Sequence, residues 1–364
     1  FATGLLWSCA CTLLSFAASA DTLYVCTNSP SPAAPYATWH TAAHSIQAAL
    51  DAAGDGDTVL VTNGVYASGG IVVDSSPTNR IAVTNAVTVS SVNGPSVTTI
   101  VGHGPAGNRA VRCAYLGPEA ALVGFTLTNG HTRTLGDNLT AKSGGGVWCA
   151  GDAAISNCVI AGNHAEFTGG GILRGRLYDS TVEGNNALYG GGAYYTDLTR
   201  CRVHGNDAVK GGGAYECDLA GCRLEQNEAL DQGGGAYRGT ADNSLIMGNR
   251  AYQGGGCYNS TVSNSALYGN AAYQAGGAAY GTLVHCTVTG NRATLEGGGT
   301  GWATLYNSVV YFNRAPQDPN YADGVFASCC AAPLPAGAGN IGDDPQLAAA
   351  WRIASGSPCR ASGN

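Results

Sequence analysis

Cys201-Arg202-Val203-His204-Gly205-Asn206-Asp207-Ala208-Val209-Lys210-Gly211-Gly212-Gly213-Ala214-Tyr215 is one copy of a unit that returns every 21 or 22 residues. Its asparagine recurs at 163, 185, 206, 227, 249, 270, 291 and 313. Five residues earlier stands Cys or Ser: Cys158, Ser180, Cys201, Cys222, Ser244, Ser265, Cys286 and Ser308. Three earlier stands an aliphatic residue, from Ile160 and Val182 to Val288 and Val310, and two later always alanine, from Ala165 to Ala315. Glycine triplets open at 144, 169, 190, 211, 233, 254 and 297, with Ala275-Gly276-Gly277 in the remaining slot.

A period this short does not fit helical-hairpin repeats and suits the coil of a solenoid. Cys-x-Val alternates with period two, as a strand does. The glycine triplets exclude a stable helix, and the Leu-x-x-Leu-x-Leu of leucine-rich repeats is absent. A parallel β-helix remains: an all-β, right-handed solenoid with coils of 21–22 residues. At about 4.8 Å per rung, eight coils make a segment of roughly 38 Å. Identical positions then stack. Small and apolar residues form interior columns, asparagine suits a left-handed turn and a hydrogen-bonded ladder, and glycine suits positive φ or close approach.

Composition agrees. Of 364 residues, 55 are glycine, 11% are charged and 45% are hydrophobic, enough for a core. The net charge of −7 without a run of Lys or Arg argues against a nucleic-acid surface or a polybasic membrane patch. Leu5 to Ala18 is largely apolar and ends in Ala18-Ser19-Ala20, so residues 1–20 read as the remnant of a signal peptide. Residues 21–142 read as an N-terminal cap and irregular coils. Trp39, Ala42, Ala43, Ile46, Ala49 and Leu50 predict an amphipathic capping helix within Tyr36 to Ala53. Strand-like runs follow at Thr58 to Thr62, Ile71 to Val73, Ile81 to Ser90, Thr99 to Val101, Ala110 to Tyr115 and Leu122 to Thr128, then a loop at His131 to Lys142. Residues 143–315 are the regular array. Residues 316–364 read as a truncated, irregular, Cys-containing segment.

These motifs carry a resemblance. Gly-Gly-Gly-Ala-Tyr with Asn-x-Ala resembles the right-handed β-helix repeats of exported bacterial proteins, in the style of polymorphic outer membrane protein repeats. Ser45-Ile46-Gln47-Ala48-Ala49-Leu50, Gly56-Asp57-Thr58-Val59-Leu60-Val61 and Gly64-Val65-Tyr66 resemble the start of pectin-lyase-like β-helices. Cys329-Cys330, Gly339-Asn340-Ile341, Asp344-Pro345-Gln346-Leu347 and Ser355-Gly356-Ser357-Pro358-Cys359 are similar to the choice-of-anchor Q segment. The resemblance implies the fold, export and a following surface-sorting element. It does not imply an activity, because this fold hosts enzymes and non-enzymes alike.

The coil register brings chemistry-bearing side chains into columns. Glu183, His204 and Glu225 form one, and Thr181, Arg202 and Arg223 another. The position after each asparagine reads His164, Asn186, Asp207, Glu228 and Arg250. Carboxylates one rung apart beside a cation suit acid/base work on a glycan or Ca²⁺ binding. The same pattern also suits a solvated sheet face with cross-strand ion pairs. After the triplets, Trp148, Leu173, Tyr194, Tyr215, Tyr237 and Tyr258 alternate with small apolar residues and so point outward. Such a stripe either stacks on sugars or packs on itself as a ring ladder.

Cys158, Cys201, Cys222 and Cys286 share an interior column, while Cys329, Cys330 and Cys359 sit where a tail would gain most from a staple. Zinc-type Cys spacing, nucleophile elbows, phosphate loops and the acidic motifs of pectate lyases and polygalacturonases are not found in the array. The reading is an exported, non-catalytic cell-surface or extracellular rod for adhesion or glycan binding, without a cofactor, Ca²⁺ being the one ion considered. Its partner would be a polysaccharide or cell-surface glycan, with membrane association only through an unseen anchor. The alternative is a pectin-lyase-like polysaccharide lyase or glycoside hydrolase.

Overall fold

The computed structural model describes residues 20–73, 77–349 and 352–360. The signal-peptide remnant lies outside the described residues apart from Ala20. The chain winds as a parallel β-solenoid with three walls. The first is a 21-stranded sheet, the second has 12 strands and the third has 6. One coil shows the course: Asp197–Thr199 lies on the first wall, Arg202–His204 on the second, Asp207–Lys210 on the third, and Ala214–Ala220 returns to the first.

The aliphatic column is the spine of the core. Val182, Val203, Leu224, Ile246, Leu267, Val288 and Val310 pair in unbroken register along the second wall, and all are fully buried. Full burial of one such side chain stabilises by about 1.5–3 kcal/mol. Alanine is needed on the third wall, where Ala187, Ala208 and Ala229 stack directly and are buried.

The turn between the second and third walls departs from expectation. The left-handed residue is the one before the asparagine: Gly205 has φ 62° and Gly248 has φ 64°, with Gln226 and Phe312 taking the same conformation in their coils. The asparagine is thereby free to turn its amide inward. Asn206 Nδ2 donates to Asn227 Oδ1 at 3.0 Å and to Val182 O at 2.9 Å, and the Asn206 backbone N–H donates to Asn227 Oδ1 at 3.1 Å. The pattern repeats from Asn163 to Asn313. Asn320, reached only seven residues later, accepts from the Asn313 N–H at 3.0 Å and ends the ladder. The glycine triplets serve two needs. Gly211 is left-handed, while a Cβ on Gly212 or Gly213 would meet a carbonyl of the next rung at 2.2 or 2.6 Å.

The expected helix shrinks to α1, Ile46–Leu50, with Ser45 as its N-cap. Residues 36–45 instead run as turns, with Tyr36 left-handed and Thr38 hydrogen-bonded to Thr41. α1 packs beside the strand Thr78–Val83. Gln47 Oε1 accepts from the Ala82 N–H at 2.8 Å, and Ile71–Val72 pairs antiparallel to the start of that strand. Together they cover an edge that would otherwise invite pairing. The run Ile81 to Ser90 divides into Thr78–Val83 and Thr88–Ser91, and Leu122 to Thr128 into Ala121–Val123 and Thr126–Thr128. In each case the chain changes direction inside an apolar stretch.

The loop at 131–142 is anchored by Arg112, which is fully buried. Its guanidinium donates to Thr140 O, Ser143 O and Gly144 O at 2.7–2.9 Å and to Asn79 Oδ1 at 2.9 Å, and burial brings its pKa down to about 9. Coiling continues beyond residue 315. Tyr321–Ala327 pairs with Thr300–Tyr306 although the repeat motif has ended. The described cysteines are free thiols, and Cys158, Cys201, Cys222 and Cys286 are buried with their column of serines. Among the described residues no helix is long and apolar enough to cross a membrane.

Candidate functional site

The charged cluster expected in coils two to four divides across a turn. Glu183, His204, Glu225, Arg202 and Arg223 lie on the second wall, while Asp207 and Glu228 lie on the third. On the second wall these side chains pair with one another. His204 Nε2 is 2.9 Å from Glu183 Oε2. Glu225 accepts from Arg202 Nε at 2.9 Å and from Arg223 Nε at 2.8 Å. Burial alone would raise the Glu225 carboxyl, but the two guanidiniums hold it below its usual range. A carboxylate held by two arginines is a poor proton carrier. Around the turn, burial raises the Asp207 carboxyl, assisted by Glu228 and opposed by an Asn186 amide that donates to it at 2.9 Å. Among the described residues no group of three or more His, Cys, Asp or Glu is arranged to hold a metal ion.

The aromatic column is a stacked ladder on the first wall. Ring centres of Tyr194, Tyr215, Tyr237 and Tyr258 are 4.9, 4.7 and 5.5 Å apart, with planes tilted by 15°, 23° and 5°. Trp148 stacks on Tyr115 at 5.2 Å, and buried Leu173 separates that pair from the tyrosines. Because the rings face one another, the column presents edges and hydroxyls to solvent rather than flat faces. Tyr237 is buried further, with Lys210 Nζ 5.5 Å and the Arg238 guanidinium 5.3 Å from its ring centre. Burial pushes the Tyr215 hydroxyl up to about 12, so it remains a neutral donor.

A feature missed in the sequence lies on the third wall. The column after the asparagines continues past Arg250 as Ala271, Arg292 and Arg314, in consecutive register. Two positions on, Leu230, Tyr252, Tyr273 and Thr294 form a parallel row, with Tyr252 and Tyr273 stacked at 4.8 Å. Between the rows runs a trough of about 540 Å³, and a second cavity of about 420 Å³ shares Arg292 and Thr294 with it and extends to Arg314 and Pro316. Following the post-asparagine column to the end of the array would have exposed the arginine row.

The class of protein defined here is a parallel β-helix whose three walls carry different outer columns: stacked tyrosines, paired acidic and basic side chains, and a column that runs from acids to arginines. No family profile and no curated protein matches the chain. Among solved structures it is similar to pectate lyase Pel9A, with 13% identity over 84% of this chain and 79% of that one and a TM-score of 0.46. It is similar to the A-module of an Azotobacter vinelandii mannuronan C-5 epimerase, with 14% identity over 77% and 92% and a TM-score of 0.39. It is also similar to the Dettilon tailspike protein, with 13% identity over 93% and 65% and a TM-score of 0.43.

Proposed function

We propose that this protein is an exported, non-catalytic β-helix rod that binds glycan along its outer surface. The observation that carries the reading is the tyrosine ladder, which repeats one hydroxyl-bearing ring per rung at 4.7–5.5 Å. That rise is close to the length of one sugar unit, so an extended glycan lying along the ladder meets the half-buried rings of Tyr194, Tyr215 and Tyr258 in register, with Tyr237 buried between the last two. Weak contacts along one chain then add through effective concentration. The pairing of Glu225 with two arginines, which hold its carboxyl below the usual range, supports a binding role over acid/base chemistry at that residue.

The test uses Tyr→Phe at 194, 215 and 258, which keeps the stack and removes the hydroxyls. Glycan-array signal should fall progressively from single to triple variant while the melting temperature stays unchanged. Undiminished binding by the triple variant refutes the ladder as the contact. Release of unsaturated oligosaccharides from a uronic-acid polysaccharide, with or without Ca²⁺, refutes the non-catalytic part.

A further inference from the structure

The described arginines differ in how their charge is met. Arg176, Arg200, Arg202, Arg223 and Arg238 each carry a carboxylate partner at 3.1 Å or less. Arg80 and Arg112 spend their donors on backbone carbonyls and, for Arg112, on Asn79. Arg250, Arg292 and Arg314 are exposed, and among the described residues no carboxylate lies within ion-pair reach of them. Arg250 and Arg292 line the trough, with Glu228 at its far end, and Arg292 and Arg314 line the adjoining cavity, in a chain of net charge −7. The opposite rim is apolar and aromatic: Leu230 is 71% exposed, Tyr252 49% and Tyr273 40%.

We propose that the trough on the third wall binds an acidic polysaccharide lying along the rod axis. A guanidinium matches a carboxylate or sulfate with two parallel hydrogen bonds, and its fork is already planar. Arg250 and Arg292 are two rungs apart, about 9.6 Å at the parallel-strand spacing. In an extended polyuronate with two-fold symmetry, acid groups on alternate sugars face the same side, which suits that step. Arg314, one rung beyond Arg292, extends the cationic rim to the end of the array. Tyr252 and Tyr273 already face each other at 4.8 Å with planes 12° apart, so no base fits between them. Their exposed edges and hydroxyls form a continuous wall along which a sugar chain can lie and hydrogen-bond. The acids Asp207 and Glu228 occupy the two preceding rungs of the same column and repel an anionic chain there, which sets the end of the binding stretch.

This inference uses none of the tyrosine-ladder residues, so either reading can fail alone. The experiment measures binding of the full chain to polygalacturonate, to a neutral glucan of similar length and to a single-stranded oligonucleotide, at low and moderate salt. Each exposed charge pair is worth up to about fivefold in affinity. Arg292→Gln with Arg314→Gln should weaken polygalacturonate binding by roughly 10- to 25-fold on that scale, with an unchanged melting temperature. Arg176→Gln with Arg200→Gln removes the same charge elsewhere and should leave binding within about twofold, since a distant change of net charge acts only weakly. Binding should weaken with added salt, and the neutral glucan should be unaffected by the trough variants. Equal loss in the two double variants overturns the inference. So does tighter binding of the oligonucleotide than of polygalacturonate, or no polyuronate binding by the parent protein.

Discussion

Replacing Asn249 with alanine removes four hydrogen bonds from the middle of the rod without touching its surface. Asn249 Oδ1 accepts from the Asn227 backbone N–H at 2.9 Å and from Asn227 Nδ2 at 2.9 Å. Its Nδ2 donates to Leu224 O at 2.9 Å and to Asn270 Oδ1 at 3.0 Å. The side chain is fully buried, so water does not replace the lost partners. Each bond contributes about 1 kcal/mol net, and leaving the Asn227 N–H unmatched adds about 1–3 kcal/mol. The expected loss is about 5–7 kcal/mol, a large part of the stability of an ordinary domain. Asn249→Asp should be as damaging at neutral pH, because an acceptor then faces Leu224 O and Asn270 Oδ1. Arg250→Ala, one residue away on the surface, should change stability by no more than about 0.5 kcal/mol. Urea unfolding followed by circular dichroism measures all three. A solenoid can unfold in parts, so proteolysis under the same conditions should locate the first cleavage near coils 227–270. A loss below about 1 kcal/mol for Asn249→Ala, comparable to the surface control, would refute the amide ladder as a principal source of stability.

Ala208→Leu should overpack the corner between Ala187 and Ala229 and cost about 1–3 kcal/mol, seen as a lower melting temperature; an unchanged value would place that side chain outside. Gly213→Ala should lower the urea midpoint far more than Gly205→Ala. A Cβ at 213 meets Gly235 O at 2.6 Å, whereas at 205 it meets nothing within 4 Å and bears only the left-handed backbone, about 1–2 kcal/mol. The Glu225 carboxyl is held below its unfolded value by Arg223 and Arg202 against the effect of burial. Its stabilisation is therefore present above about pH 4.3 and is lost as pH falls through the lower folded value. Glu225→Gln should flatten the decline in melting temperature on acidification below about pH 4.3, and a decline as steep as the parent's would mean that the arginine contacts do not persist in solution.

Legibility in the sequence follows the distance over which each feature is determined. The aliphatic, alanine and asparagine columns are set by period alone, because in a parallel stack each residue's main neighbour is its own copy one coil away. Wall boundaries depend on which residue turns left-handed. That residue is glycine in most coils but Gln226 and Phe312 in two, so composition does not mark it consistently. Trp39, Ala42 and Ala43 keep helical spacing yet lie outside the helix: Ala43 forms a parallel bridge with Val25, and the Trp39 ring packs edge-on to Tyr24. Sequence spacing alone groups the charged residues into one cluster, yet the Gln226-Asn227 turn separates Glu225 from Glu228, as the Gly205-Asn206 turn separates His204 from Asp207. The aromatic column is legible, but its ring planes and the burial of Leu173 and Tyr237 are not. Alternation fixes the direction of Cβ, and stacking then decides that each face is covered by the next ring.

Invariance and variation among the coils point to where a rod of this kind carries function. Each buried asparagine has as partners the copies above and below, so changing one rung unmatches two. The position beside it, facing solvent, has no such constraint and reads His164, Asn186, Asp207, Glu228, Arg250, Ala271, Arg292 and Arg314. Along that single column the charge passes from histidine through acid to base within a few rungs of about 4.8 Å. A long polymer laid along the third wall therefore meets repulsion at one end and attraction at the other. Its charge pattern sets both the stretch it occupies and its register on the rod. The core columns give the rod its stiffness and fixed pitch, and the pitch turns a drift in sequence at one outward position into a ruler of charge.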